Sequence, residues 1–141
     1  MASSRNEGQI QWSASDSVSL NSSSRFDSDA YALNVEDWDA ELLLSADNSG
    51  TPASGDYVDV YIKYTTGDVL GDTGDDYPTD EHAEFLCRLD TYATNTPGED
   101  PVRKAVPIRT AAHAFKISVV APQGGSRAIT FRARVETHRG Q

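Results

Sequence analysis

Cysteine occurs once in this chain, as Cys87, so an intrachain disulfide and a cysteine-based zinc site are both excluded. Beside Phe85, Leu86 and Leu89, Cys87 reads as a small buried hydrophobe rather than a reactive thiol. No run of about 18 apolar residues is present, which excludes a membrane-spanning helix. The segment Met1–Glu7 lacks the apolar core of a secretory leader, so the sequence predicts a cytosolic product or one released by another route.

Catalytic patterns are absent too. The three histidines, His82, His113 and His138, have no partner at metal-ligand spacing and read as surface residues. No serine lies in a G-x-S-x-G context. Gly124-Gly125-Ser126 joins two strand-like segments and lacks the strand–loop–helix setting of a phosphate cradle. Carboxylates are plentiful, but only Trp12 and Trp38 could serve as indole platforms in a glycosidase cleft. The sequence therefore predicts no enzyme and no cofactor.

Basic residues are scarce in the first 100 positions, where four (Arg5, Arg25, Lys63, Arg88) face 21 acids. Residues 101–141 reverse this, with eight bases and one acid, Glu136. The net charge of −10 argues against non-specific nucleic-acid binding, which depends on phosphate neutralisation. The split has two readings. Arg127, Arg132, Arg134 and Arg139, along the last strand-like segment, either pair with acidic strands of the same domain, such as that holding Asp56 and Asp59, or form a basic patch that docks on an acidic neighbour.

What the chain does contain is alternation. Val58, Val60, Ile62 and Tyr64 share one parity, with Tyr57, Asp59, Tyr61 and Lys63 on the other. Phe115, Ile117 and Val119 alternate with Lys116, Ser118 and Val120, and Ile129, Phe131, Ala133 and Val135 with Thr130, Arg132, Arg134 and Glu136. These last two segments, separated by the Pro122–Ser126 turn, are predicted to pair as a hairpin. The parity of Trp38 with Ala40, Leu42, Leu44 and Ala46 predicts a core indole, whereas Trp12 is not assigned. Short strands are also expected at Gln9–Trp12 and Ser17–Leu20. Val102–Thr110, which contains Pro107, is expected at a sheet edge. Residues 81–91 fit a short helix or a strand equally well. The expected fold is an all-β antiparallel sandwich, jelly-roll-like, with about eight strands and at most one short helix. Residues 1–8 are expected to be a flexible arm and 9–141 a single domain.

The stretch from Gly67 to Asp80 is rich in acids and reads as a solvated loop. Asp68, Asp72, Asp75, Asp76, Asp80 and Glu81 could offer oxygens to calcium, but their spacing departs from the EF-hand pattern.

The Ser/Asp-rich start, DYVDVYIKY at 56–64, FKISVV at 115–120, the Gly-Gly turn and AITFRARV at 128–135 together resemble small virion proteins of tailed bacteriophages, especially jelly-roll capsid decoration (cement) proteins. The resemblance spans about residues 38–137 and carries no diagnostic motif, so it transfers no functional residue. It implies a non-enzymatic protein made in the host cytoplasm and placed on the capsid surface. Its partners would be the major capsid protein or other virion proteins, and it would form a dimer or trimer without nucleic acid or membrane. The competing reading is a carbohydrate- or receptor-binding module of a phage tail, using Tyr57, Tyr61 and Tyr77; a tail or head–tail joining protein is a further one. For Tyr57 and Tyr61, covering the second sheet face or a subunit interface is the preferred reading over sugar stacking.

Overall fold

A strand that alternates apolar and polar residues must bury one row, and two such sheets face to face bury both. That is the arrangement in the computed structural model, which describes residues 3–48, 55–65, 77–91, 102–112, 114–122 and 129–140. In chain order its strands are β1 (Ser3–Gln9), β2 (Val18–Leu20), β3 (Arg25–Asp27), β4 (Tyr31–Ala32), β5 (Asp37–Asn48), β6 (Tyr57–Tyr64), β7 (Glu84–Asp90), β8 (Val102–Ile108), β9 (Ala114–Val120) and β10 (Ile129–Gly140). One five-stranded antiparallel sheet runs β1-β10-β5-β8, with β2 also on β10; the other runs β3-β9-β6-β7, with β4 also on β9. The fold is an antiparallel β-sandwich of jelly-roll type, and among the described residues the only helical element is a 3-10 turn, Asp80–His82.

Between the sheets lie Leu42, Leu44, Phe131 and Val135 from one side and Val58, Val60, Ile62, Phe115, Ile117 and Val119 from the other, all essentially inaccessible. Each such side chain contributes about 1.5–3 kcal/mol over an exposed one. Val58, Val60 and Ile62 face inward as their alternation predicts. Trp12 is buried, edge-on to Phe131 at 5.8 Å. Cys87 is buried as well, and burial pushes its thiol above the ordinary range, which disfavours the thiolate.

Several sequence expectations require correction. The last two strands form no hairpin: β9 pairs with β6, β3 and β4, whereas β10 pairs with β1, β2 and β5 in the opposite sheet. Alternation tells which row is buried but not which strand lies alongside. Ser3–Gln9, most of it within the segment expected as a flexible arm, forms β1, in register with β10 from Ser3↔Gly140 to Gln9↔Arg134. Its residues are polar because the strand is held by the β10 ladder and by an Arg5–Glu136 ion pair at 2.5 Å, not by apolar burial. Residues 81–91 divide into the 3-10 turn and β7. Trp38, expected in the core, is 60% exposed, because the β5–β10 register slips beside it.

Gly8 on β1 is a close-approach position. A Cβ there would overlap the ring of Tyr31, which lies across the backbone and packs on Phe115 at 5.6 Å. Gly8→Ala should therefore cost about 1–3 kcal/mol by forcing the ring away. In a Tyr31→Ala background most of that penalty should vanish, a coupling that urea titration of the four variants measures.

Candidate functional site

The outward face of β10, β5 and β8 is fixed by register. Ser45 has Arg132 directly opposite on one side and Arg103 on the other. One step along, Leu43 lies between Arg134 and Ala105, with Gln9 of β1 beyond Arg134. Arg103 and Arg132 stand two strands apart, so their Cβ atoms are about 10 Å apart and their long side chains can converge above the Ser45 hydroxyl. These residues line an open groove of about 450 Å³. Leu43 and Ala105 give it an apolar stretch, and the arginines give it positive charge.

The arginines differ in their partners. Arg134 Nη2 donates to Glu136 at 2.9 Å, and Glu136 also accepts from Arg5, which holds its carboxyl below the ordinary range. Arg139 Nε donates to the buried carboxylate of Asp37 at 2.7 Å and so anchors the start of β5. Arg88 and Arg109 pair with Asp59 and Glu84. Arg103 and Arg132 have no ion-pair partner among the described residues. Asp59, offered from sequence as a partner for the β10 arginines, lies in the opposite sheet. Arg127 lies outside the described residues.

The outward face of the other sheet is crosslinked by its own charges. Lys63 reaches Asp27 at 2.8 Å and Asp80 at 2.6 Å. Burial opposes its ammonium, but the two carboxylates outweigh that and raise its pKa; Asp27 is correspondingly lowered, against burial, by Lys63 and Ser118. The guanidinium of Arg88 is 3.7 Å from the Tyr57 ring centroid, that of Arg25 is 4.2 Å from Tyr61, and the ammonium of Lys116 is 4.7 Å from Tyr77. Each tyrosine considered for sugar stacking thus has a cation over its ring. Of the calcium candidates, Asp80 is engaged by Lys63, while Asp68, Asp72, Asp75 and Asp76 lie outside the described residues. Among the described residues no group of three or more His, Cys, Asp or Glu gathers as a metal site would require, and no helix is long and apolar enough to cross a membrane.

Arg132 and Arg134 are the site residues the sequence pointed to; Arg103, Ser45, Leu43 and Ala105 are those it missed. The β5–β8 register brings the latter together, and no local pattern encodes that pairing.

The chain is an antiparallel β-sandwich whose β10–β5–β8 face carries an open basic groove. No protein-family model and no curated protein matches the chain. Its likeness is to solved structures. One is the xylanase 10B CBM22-1–GH10 modules of Clostridium thermocellum, complexed with xylohexaose, at 12% identity and a TM-score of 0.53, covering 97% of this chain and 25% of that one. A second is the CBM36-1 domain of a multidomain xylanase from the hindgut metagenome of Trinervitermes trinervoides, at 10% identity and a TM-score of 0.51, covering 93% and 96%. A third is infectious bursal disease virus, Gx strain, at 10% identity and a TM-score of 0.50, covering 99% and 32%. The chain therefore spans about a quarter of the first and a third of the third. At such identities the likeness is one of fold.

Proposed function

We propose that the chain is a non-enzymatic structural protein of a virus particle, a decoration or cement protein that seats its basic groove on an acidic surface of the shell. The observation that carries this is the pair Arg103 and Arg132. In a chain with a net charge of −10, Arg5, Arg25, Lys63, Arg88, Arg109, Arg134 and Arg139 each take a carboxylate. Two arginines without an ion-pair partner among the described residues, on either side of Ser45 and on a sheet pinned by β10, form a site pre-organised for carboxylates from outside. The major capsid protein or a second copy of this chain would supply them, and unlike patches meeting head to tail build rings or lattices. On this reading the protein resides on the capsid exterior as a dimer or trimer, and its acidic remainder keeps crowded copies apart.

The test is Arg103→Glu with Arg132→Glu, assayed by cosedimentation with shells assembled from the virus's major capsid protein. Reversing both charges should weaken attachment about 100-fold or more. The melting temperature should hold, because neither side chain supports the fold. Undiminished attachment would reject the groove as the contact.

A further inference from the structure

The indole of Trp38 is turned out of the sandwich by a defined device. Along β5 and β10 the pairing runs Ala40↔Thr137 and Asp39↔His138, then slips so that Arg139 faces Asp37. Trp38 is the residue left over, and a bulge of this kind re-aims its side chain. The bulge is braced on both sides. Asp37 accepts from Arg139 at 2.7 Å and from the Asn34 amide at 2.9 Å, and the Gly140 amide donates to the Glu36 carbonyl at 3.0 Å. One side of the indole rests on His138, with ring centroids 5.4 Å apart and planes inclined by 31°. His138 is itself steadied by Asp39, Nδ1 to Oδ2 at 3.0 Å. The result is an aromatic plate, 60% exposed, with His138 against one side.

The two cross-strand rows beside the plate are polar. Arg5, His138 and Asp39 lie in one cross-strand row, and the next row is Glu7, Glu136 and Glu41. A protein contact centred on Trp38 would call for apolar neighbours around it, and these two rows offer none. An apolar plate rimmed by carboxylate, imidazole and guanidinium groups matches a pyranose, whose C–H face lies on the indole while its hydroxyls reach the rim. The carboxylates in both rows repel sialylated, uronic or sulfated sugars. We propose that Trp38 is the stacking platform of a binding site for neutral sugars, separate from the arginine groove and independent of the shell-docking role.

The experiment is a mixed array of neutral and anionic glycans probed with the whole protein, with the best neutral hit then titrated by calorimetry. The expected result is binding to neutral glycans only, at least 10-fold weaker in Trp38→Ala, partly kept in Trp38→Phe, weakened in Asp39→Asn, and unchanged in Arg103→Glu with Arg132→Glu. Because Trp38 is exposed, the Ala variant should retain its β-type circular dichroism. Silence across the neutral glycans, binding confined to anionic ones, or equal binding by Trp38→Ala would each overturn the assignment. So would a Trp38-dependent self-association seen by sedimentation in place of sugar binding.

Discussion

Replacing Phe131 by Ala should lower stability by about 4 kcal/mol, seen as a shift of the urea midpoint at an unchanged slope. Phe131 is fully buried on β10, and its ring is the edge-on partner of Trp12, at 5.8 Å and 89°. Deletion removes the transfer energy of the ring, the aromatic pairing and the packing around it. The cavity cannot close, because β10 is laddered to β2 on one side and β5 on the other at this position, Val18↔Phe131↔Ala46. Phe131→Leu should cost clearly less. Trp12 emission should shift to the red in the Ala variant while Trp38, already exposed, stays unchanged. Equal costs for Ala and Leu would show that the core relaxes around the loss.

Lys63→Met should cost about 2 kcal/mol at neutral pH. Removing one partner of a buried ion pair is worth about 3–5 kcal/mol, discounted here because Asp27 and Asp80 are partly exposed at 39% and 57%. The Lys63 side chain itself is only 5% exposed. Without it, two carboxylates converge on one spot with nothing between them. The pH dependence follows from the shifts in the parent protein. Asp27 is lowered, so its contribution is complete above the ordinary aspartate pKa of about 3.9 and fades as acid protonates it below that. Lys63 is raised, so its contribution is complete below its unfolded pKa of about 10.4 and fades only in stronger alkali. The gap between parent and variant should thus be full at pH 7 and smaller at about pH 2, below the ordinary aspartate range. A gap of equal size at both pH values would assign the loss to packing rather than charge.

The long strands were legible in the sequence. In β6, β9 and β10, β-branched and aromatic residues repeat every second position, and the burial of Val58, Val60, Phe115, Ile117, Phe131 and Val135 follows that repeat. What could not be read falls into two kinds. Pairing partners were one: nothing within Ala114–Val120 or Ile129–Gly140 says that they belong to opposite sheets, or that Ser3–Gln9 would lie against β10. Bulges were the other. Leu86 interrupts the β6–β7 register between Val60↔Cys87 and Tyr61↔Phe85, so Phe85 lands outside, edge-on to Tyr61 at 5.5 Å. Trp38 does the same on β5. One extra residue flips the face of everything beyond it, and parity counted from the strand centre then gives the wrong side. The site was half legible for the same reason: Arg132 and Arg134 share a strand, while Arg103 reaches them only through the register of β5 with β8.

The position of β10 has a consequence for how the molecule comes into being. β1, β2 and β5 all lean on it, and the Arg5–Glu136 contact ties groups 131 positions apart. On the ribosome, β1 and β2 have no partner in that sheet and β5 has only β8 until residues 129–140 emerge. Such distant closure makes for slow folding. In that interval the interrupted hydrophobic rows of β5 are the part of the nascent chain most in need of a chaperone's cover.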